Sequence, residues 1–160
     1  MESVKTCVCS IFRRTRFFAA VVVAFGCFLG TGRSASRWAT LEAIHALENP
    51  RNLSRPGPFG ELGAYQFRET TWRIHTKAPF AQALNRQTSD QVAILHYDWL
   101  KRGLEQARLP VTSYNIALAW NGGLNAVLRG HAPTVAHDYA SRAVSLADVF
   151  ENRAQLATSH

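Results

Sequence analysis

The strongest constraint on the fold lies in residues 88–107, where apolar side chains recur at three- and four-residue spacing. Val92, Leu95, Trp99, Leu100 and Leu104 make one stripe, the signature of an amphipathic helix with one buried face. Thr88 as N-cap, with Gln91 three residues on, completes a capping box at its start. A long helix of this kind needs other helices or a sheet to cover its stripe, and the rest of the chain offers helices. Residues 36–47 place Trp38, Leu41, Ile44 and Leu47 on one helical face, and Asn49-Pro50 ends it because the residue before proline avoids the helical region. Residues 65–75 read as helix with an extended start. Ser113 caps a helix over 114–121 that Gly122-Gly123 stops. Pro133 and Thr134 open a last helix that runs through Tyr139, Val144, Leu146 and Val149 to about residue 156.

Between the first two helices, residues 51–63 contain Pro56-Gly57-Pro58 and the pair Gly60 and Gly63, which is loop or short hairpin territory. No repeat and no low-complexity stretch interrupts the pattern. The expected fold class is mainly α, with a short loop or β-hairpin and at most a very small sheet. Hydrophobic residues at 47 % supply a core, and 160 residues suit one domain better than two.

The beginning of the chain reads differently. Lys5, Arg13, Arg14 and Arg16 form a basic start, residues 17–30 carry no charge, and small residues Gly30, Thr31 and Gly32 follow. These are the parts of a secretory signal, and the uncharged run of 14 residues is short of the roughly 20 that span a bilayer. Arg16 stands where a twin-arginine signal wants an apolar residue. Phe25 is too bulky for a lipoprotein site ending at Cys27. A plain signal peptide over residues 1–32 is the expectation, with an uncleaved membrane anchor as the alternative, and residues 33–160 form the exported domain. Cys7, Cys9 and Cys27 all fall in the segment that export removes, so the mature domain has neither cysteine nucleophile nor cysteine-bound metal. Its charge drops from +7 to +4, a mild excess that suits an anionic polymer. No basic tract interleaved with aromatics favours nucleic acid.

Glu48 is the first candidate for chemistry. A carboxylate that ends an apolar helix sits at the negative end of the helix dipole, and burial disfavours its charge further. Both raise its pKa, which lets it serve as a general acid; the plainer reading is a solvated terminal glutamate. Six histidines are scattered along the chain. His45 and Glu48 share a helix face, but the second histidine of a zinc helix is missing. No serine elbow or phosphate loop appears, so neither metal nor cofactor is expected.

The order of four segments resembles the lytic transglycosylases of the lysozyme-like superfamily: Glu48, then Gly63-Ala64-Tyr65-Gln66, then Ala119-Trp120-Asn121-Gly122-Gly123, then Tyr139 on the last helix. The match runs from Leu41 to about Val149, nearly all of the expected mature chain. The departures are Asn49 where the family usually has serine, Ala64-Tyr65 for Leu-Met, and Trp120 for tyrosine. The resemblance implies a lysozyme-like domain that cleaves peptidoglycan between N-acetylmuramic acid and N-acetylglucosamine in the cell envelope. Glu48 is then the acid and base, and Tyr139 points its hydroxyl toward it.

Each matching residue also has a plainer role. Gln66 binds an N-acetyl group or braces the loop. Asn121 contacts sugar or simply terminates a helix. Tyr65 and Trp120 stack on pyranose rings or fill the core. Gly63 permits close approach of a sugar chain or a tight turn. Glu61 is the second carboxylate of a lysozyme-type hydrolase or a solvated loop charge. A non-catalytic peptidoglycan-binding or assembly protein with the same fold is the rival from another class. Oligomeric state is not legible.

Overall fold

The computed structural model describes residues 35–159; the expected signal peptide lies outside them. Residues 33–160 form one compact unit. It is mainly helical: α1 (Arg37–Glu48), α2 (Glu69–His75), a 3₁₀ turn (Phe80–Leu84), α3 (Arg86–Gln106), α4 (Ser113–Gly122), α5 (Leu124–Leu128) and α6 (Thr134–Thr158). Among the described residues there is no β-strand, only an isolated antiparallel bridge between Leu62 and Phe67. No described helix is long and apolar enough to cross a membrane.

α4 is the centre of the domain. Ile116, Ala117, Leu118 and Ala119 are buried in succession, and a helix apolar on every side belongs inside others. α6 lies along α4 and α1 through Ala136, Ala140, Ala143 and Ala147, all buried at four-, three- and four-residue spacing. Ala147 meets Ala39 and Ala43 of α1, while Ala136, Ala140 and Ala143 meet Ala117 and Leu118. The bulky residues expected in this seam sit at its edges instead: Leu146 is half-buried and Val149 exposed. Methyl-sized side chains let the helices approach closely, so the seam takes alanine and leaves the larger groups outside. The same seam turns Trp38 outward, against the edge of Phe150.

α3 begins earlier than expected. Asn85 is its N-cap, accepting from the Thr88 amide at 2.9 Å, so Thr88 is bound by the cap rather than being it. The buried face is Val92, Ala93, His96, Tyr97, Leu100 and Leu104, with Leu95 and Trp99 exposed. His96 is buried there because its ring nitrogen finds a partner in His75. α4 likewise starts from Thr112, whose hydroxyl accepts from the Asn115 amide at 3.1 Å. Ser113 sits inside that helix and its hydroxyl meets Thr40 at 2.9 Å.

The helix expected over 65–75 is confined to Glu69–His75. Before it, Leu62 and Phe67 exchange backbone hydrogen bonds at 3.0 Å and close a turn over residues 63–66. Gly63 at φ +79° and Gln66 at φ +44° make that turn. A Cβ on Gly63 would stand 1.8 Å from the Ala83 carbonyl oxygen. The close approach that requires glycine is therefore to the protein's own 3₁₀ turn.

Candidate active site

Glu48 is the last residue of α1, stopped there by Pro50. Tyr139 rises from α6, and its hydroxyl donates to Glu48 Oε1 at 2.8 Å across 91 residues of sequence. Glu48 borders a cleft of about 680 Å³ whose walls also include Glu61, Gln66, Arg68, His96, Trp120 and Asn121. Burial pushes the Glu48 carboxyl above its ordinary value of 4.5. The Tyr139 hydrogen bond opposes that shift without cancelling it, and the negative charge of Glu61 adds to it. Burial and the neighbouring carboxylate hold the Tyr139 hydroxyl far above its usual range, so Tyr139 is a permanent donor.

Glu61 behaves in the opposite way. Partial burial alone would raise its pKa. The Phe59 amide at 2.8 Å, its own backbone amide and the Arg68 guanidinium at 3.3 Å outweigh that and hold it below 4.5. Those hydrogen bonds fix it in place as an anion. One cleft thus carries two carboxyls whose surroundings push them apart, the condition for an acid and an anion side by side at one pH.

The loop between them is ordered by Asn49. Its amide donates to the carbonyls of Leu53 at 2.9 Å and Gly63 at 3.1 Å, and its Oδ1 accepts from the Leu53 amide at 2.9 Å. Gln66 Nε2 also donates to the Gly63 carbonyl, at 2.9 Å, which is the bracing role. Its Oε1 has no partner among the described residues. Gly63 is buried and is not part of the cleft wall. Asn121 is exposed on the cleft wall with its side chain unbonded among the described residues.

Tyr65 lies at the cleft wall and takes the plainer of its two roles, a core residue. It is 2 % exposed and its hydroxyl is committed to Asp90 Oδ1 at 2.8 Å. Arg86 pins that carboxylate at 2.7 Å, and also binds Glu42 at 2.7 Å and the His45 ring. The network props the floor of the cleft from behind. Trp120 is half-buried, with Tyr65, Phe67 and His96 around its ring, and reaches the cleft wall.

Three wall residues carried no signal in the sequence. Phe59 is 76 % exposed on the proline-glycine loop, with the Arg68 guanidinium 5.1 Å from its ring centroid. His96 belongs to a stripe otherwise apolar except Ser89, and burial keeps it neutral, down to about 3. None of the three lies in a motif, and only the turn over residues 63–66 brings Phe59 and Arg68 together. No group of His, Cys, Asp and Glu able to hold a metal is found among the described residues. Compared with family models, curated proteins and solved structures, the chain matches none of them.

Proposed function

We propose that the chain is a peptidoglycan-cleaving enzyme of lysozyme-like fold, a lytic transglycosylase with Glu48 as general acid and base. The observation that carries this reading is the Tyr139–Glu48 hydrogen bond of 2.8 Å on a carboxyl raised by burial, with that carboxyl on the wall of a cleft of about 680 Å³. Glu48 protonates the glycosidic oxygen between N-acetylmuramic acid and N-acetylglucosamine, and that bond breaks. The acetamido carbonyl of the muramyl sugar stabilises the cationic carbon left behind. Glu48, now a carboxylate steadied by Tyr139, takes the proton of the C6 hydroxyl as that oxygen closes on C1 to form the 1,6-anhydro ring. The enzyme ends with its proton restored, as catalysis requires. Signal-directed export of residues 33–160 would deliver it to the envelope, where its substrate is.

One observation favours a second outcome. Glu61 is held anionic on the wall of the same cleft, and an anion there serves a hydrolase by orienting a water or steadying the cation. Both its oxygens already accept hydrogen bonds, which suits the steadying role better than that of a base. Digestion of purified peptidoglycan by the protein and by its Glu48→Gln variant tests the reading. Soluble muropeptides are expected from the parent and none from the variant. Equal release by both removes Glu48 from the mechanism, and wall binding without release by either makes the protein a binder.

A further inference from the structure

We propose that Arg68 receives a carboxylate of the substrate, so that the cleft selects an acidic glycan strand over a neutral one. This rests on the glycan-cleaving reading above and names the feature of the strand that is recognised. The cleft wall carries two carboxyls, Glu48 and Glu61, and Arg68 is its one cationic side chain among the described residues. An acidic strand entering such a cleft would be repelled without a compensating cation.

The geometry of Arg68 suits that task. Its Nε donates to Glu61 Oε1 at 3.3 Å, and its guanidinium lies 5.1 Å from the Phe59 ring centroid. These two contacts hold the plane of the group. Its terminal nitrogens, Nη1 and Nη2, have no partner among the described residues, and the side chain is 61 % exposed. A guanidinium held at Nε with its terminal fork open matches a carboxylate with two parallel N–H···O bonds. The backbone under it is fixed as well, because Arg68 follows directly on the Leu62–Phe67 bridge.

Muramyl strands supply carboxylates from two sources, the peptide stem or, where the stem is absent, the lactyl carboxyl that otherwise forms the amide to it, whereas chitin supplies none. Binding is measured calorimetrically with the full chain carrying Glu48→Gln, so that strands survive the titration. The ligands are stem-bearing strands, strands freed of stems by an amidase, each of these after chemical amidation of its carboxylates, and a chitin oligomer of equal length. Acid strands are expected to bind about fivefold more tightly than their amidated forms, the upper range for an exposed ion pair. Adding Arg68→Gln should bring that ratio to one, and Arg68→Lys should keep only part of it. A preference seen with stem-bearing strands, whose lactyl carboxyl is tied up in the amide to the stem, assigns the stem carboxylates, and one seen only after the amidase has freed that carboxyl assigns the lactyl group. A ratio unchanged by Arg68→Gln, or a ratio of one without it, overturns the inference while leaving the glycan reading intact. Failure to bind any strand overturns both.

Discussion

A carboxyl that must release its proton to a sugar oxygen needs surroundings that resist its charge, and Glu48 has them. It is enclosed at the end of α1 with a second anion in the same cleft. Activity should therefore fall at high pH as Glu48 loses its proton, at a value above the ordinary 4.5, and an added acid limb from Glu61, at a value below 4.5, is expected only of the hydrolase outcome. Tyr139→Phe removes the one interaction that favours the Glu48 carboxylate. The alkaline limb of the kcat/KM profile should move to higher pH, and the rate should drop about tenfold or more. The same shift has a stability side. Because folding raises the Glu48 pKa, its contribution is complete below the unfolded-state value and is lost as pH climbs through the folded-state value. Above the folded-state value the buried carboxylate is a burden, so Glu48→Gln should raise Tm there by about 2–4 °C. That gain should shrink toward nothing in melts at acidic pH. Glu48 was legible from its place at the end of an apolar helix, but Tyr139 only through the order of motifs, since 91 residues separate them and nothing local in either one announces the other. Arg68, Phe59 and His96 were not legible, because their place in the cleft follows from how the loop and α3 pack.

At the scale of elements, the cleft depends on a turn, a cap and a loop brace more than on any one helix. Gly63 couples the turn over residues 63–66 to the 3₁₀ turn at Ala83. Gly63→Ala adds a methyl against a carbonyl and forces alanine to φ +79°. Urea unfolding should show a loss of about 2–4 kcal/mol, with activity falling further because Gln66 and Asn49 both bond the Gly63 carbonyl. A loss under about 0.5 kcal/mol would mean that the turn tolerates displacement. Helix existence was readable from apolar period and from Pro50, Gly123 and Pro133, since these act locally. Helix starts were less so. Asn85, Thr88, Thr112 and Ser113 are all competent caps, and tertiary packing decides which of two neighbours faces the open turn. The stripe on α3 shifted for a related reason: His96 is polar in a sequence window but satisfied once His75 stands 2.9 Å away.

For the whole molecule, the alanine seam between α6, α4 and α1 sets the distance between Glu48 and Tyr139, because each residue belongs to one side of it. Ala140 is wholly buried one residue beyond Tyr139. Ala140→Leu should cost about 1–3 kcal/mol by overpacking and weaken activity by moving the hydroxyl from the carboxyl. Leu156→Ala at the 66 % exposed end of α6 should leave both nearly unchanged, as denaturation curves and assays of the two variants would show. Apolar bulk in the sequence pointed away from this seam, for small residues carry little hydrophobic signal yet permit the closest packing. The central claim, that Glu48 drives an intramolecular ring closure in this cleft, is tested most directly by digesting peptidoglycan in ¹⁸O-labelled water and weighing the released muropeptides. The account predicts 1,6-anhydro products without label from the parent and no products from Glu48→Gln. Reducing ends carrying the label at C1 would contradict it and make the protein a hydrolase in which Glu61 steadies the cation.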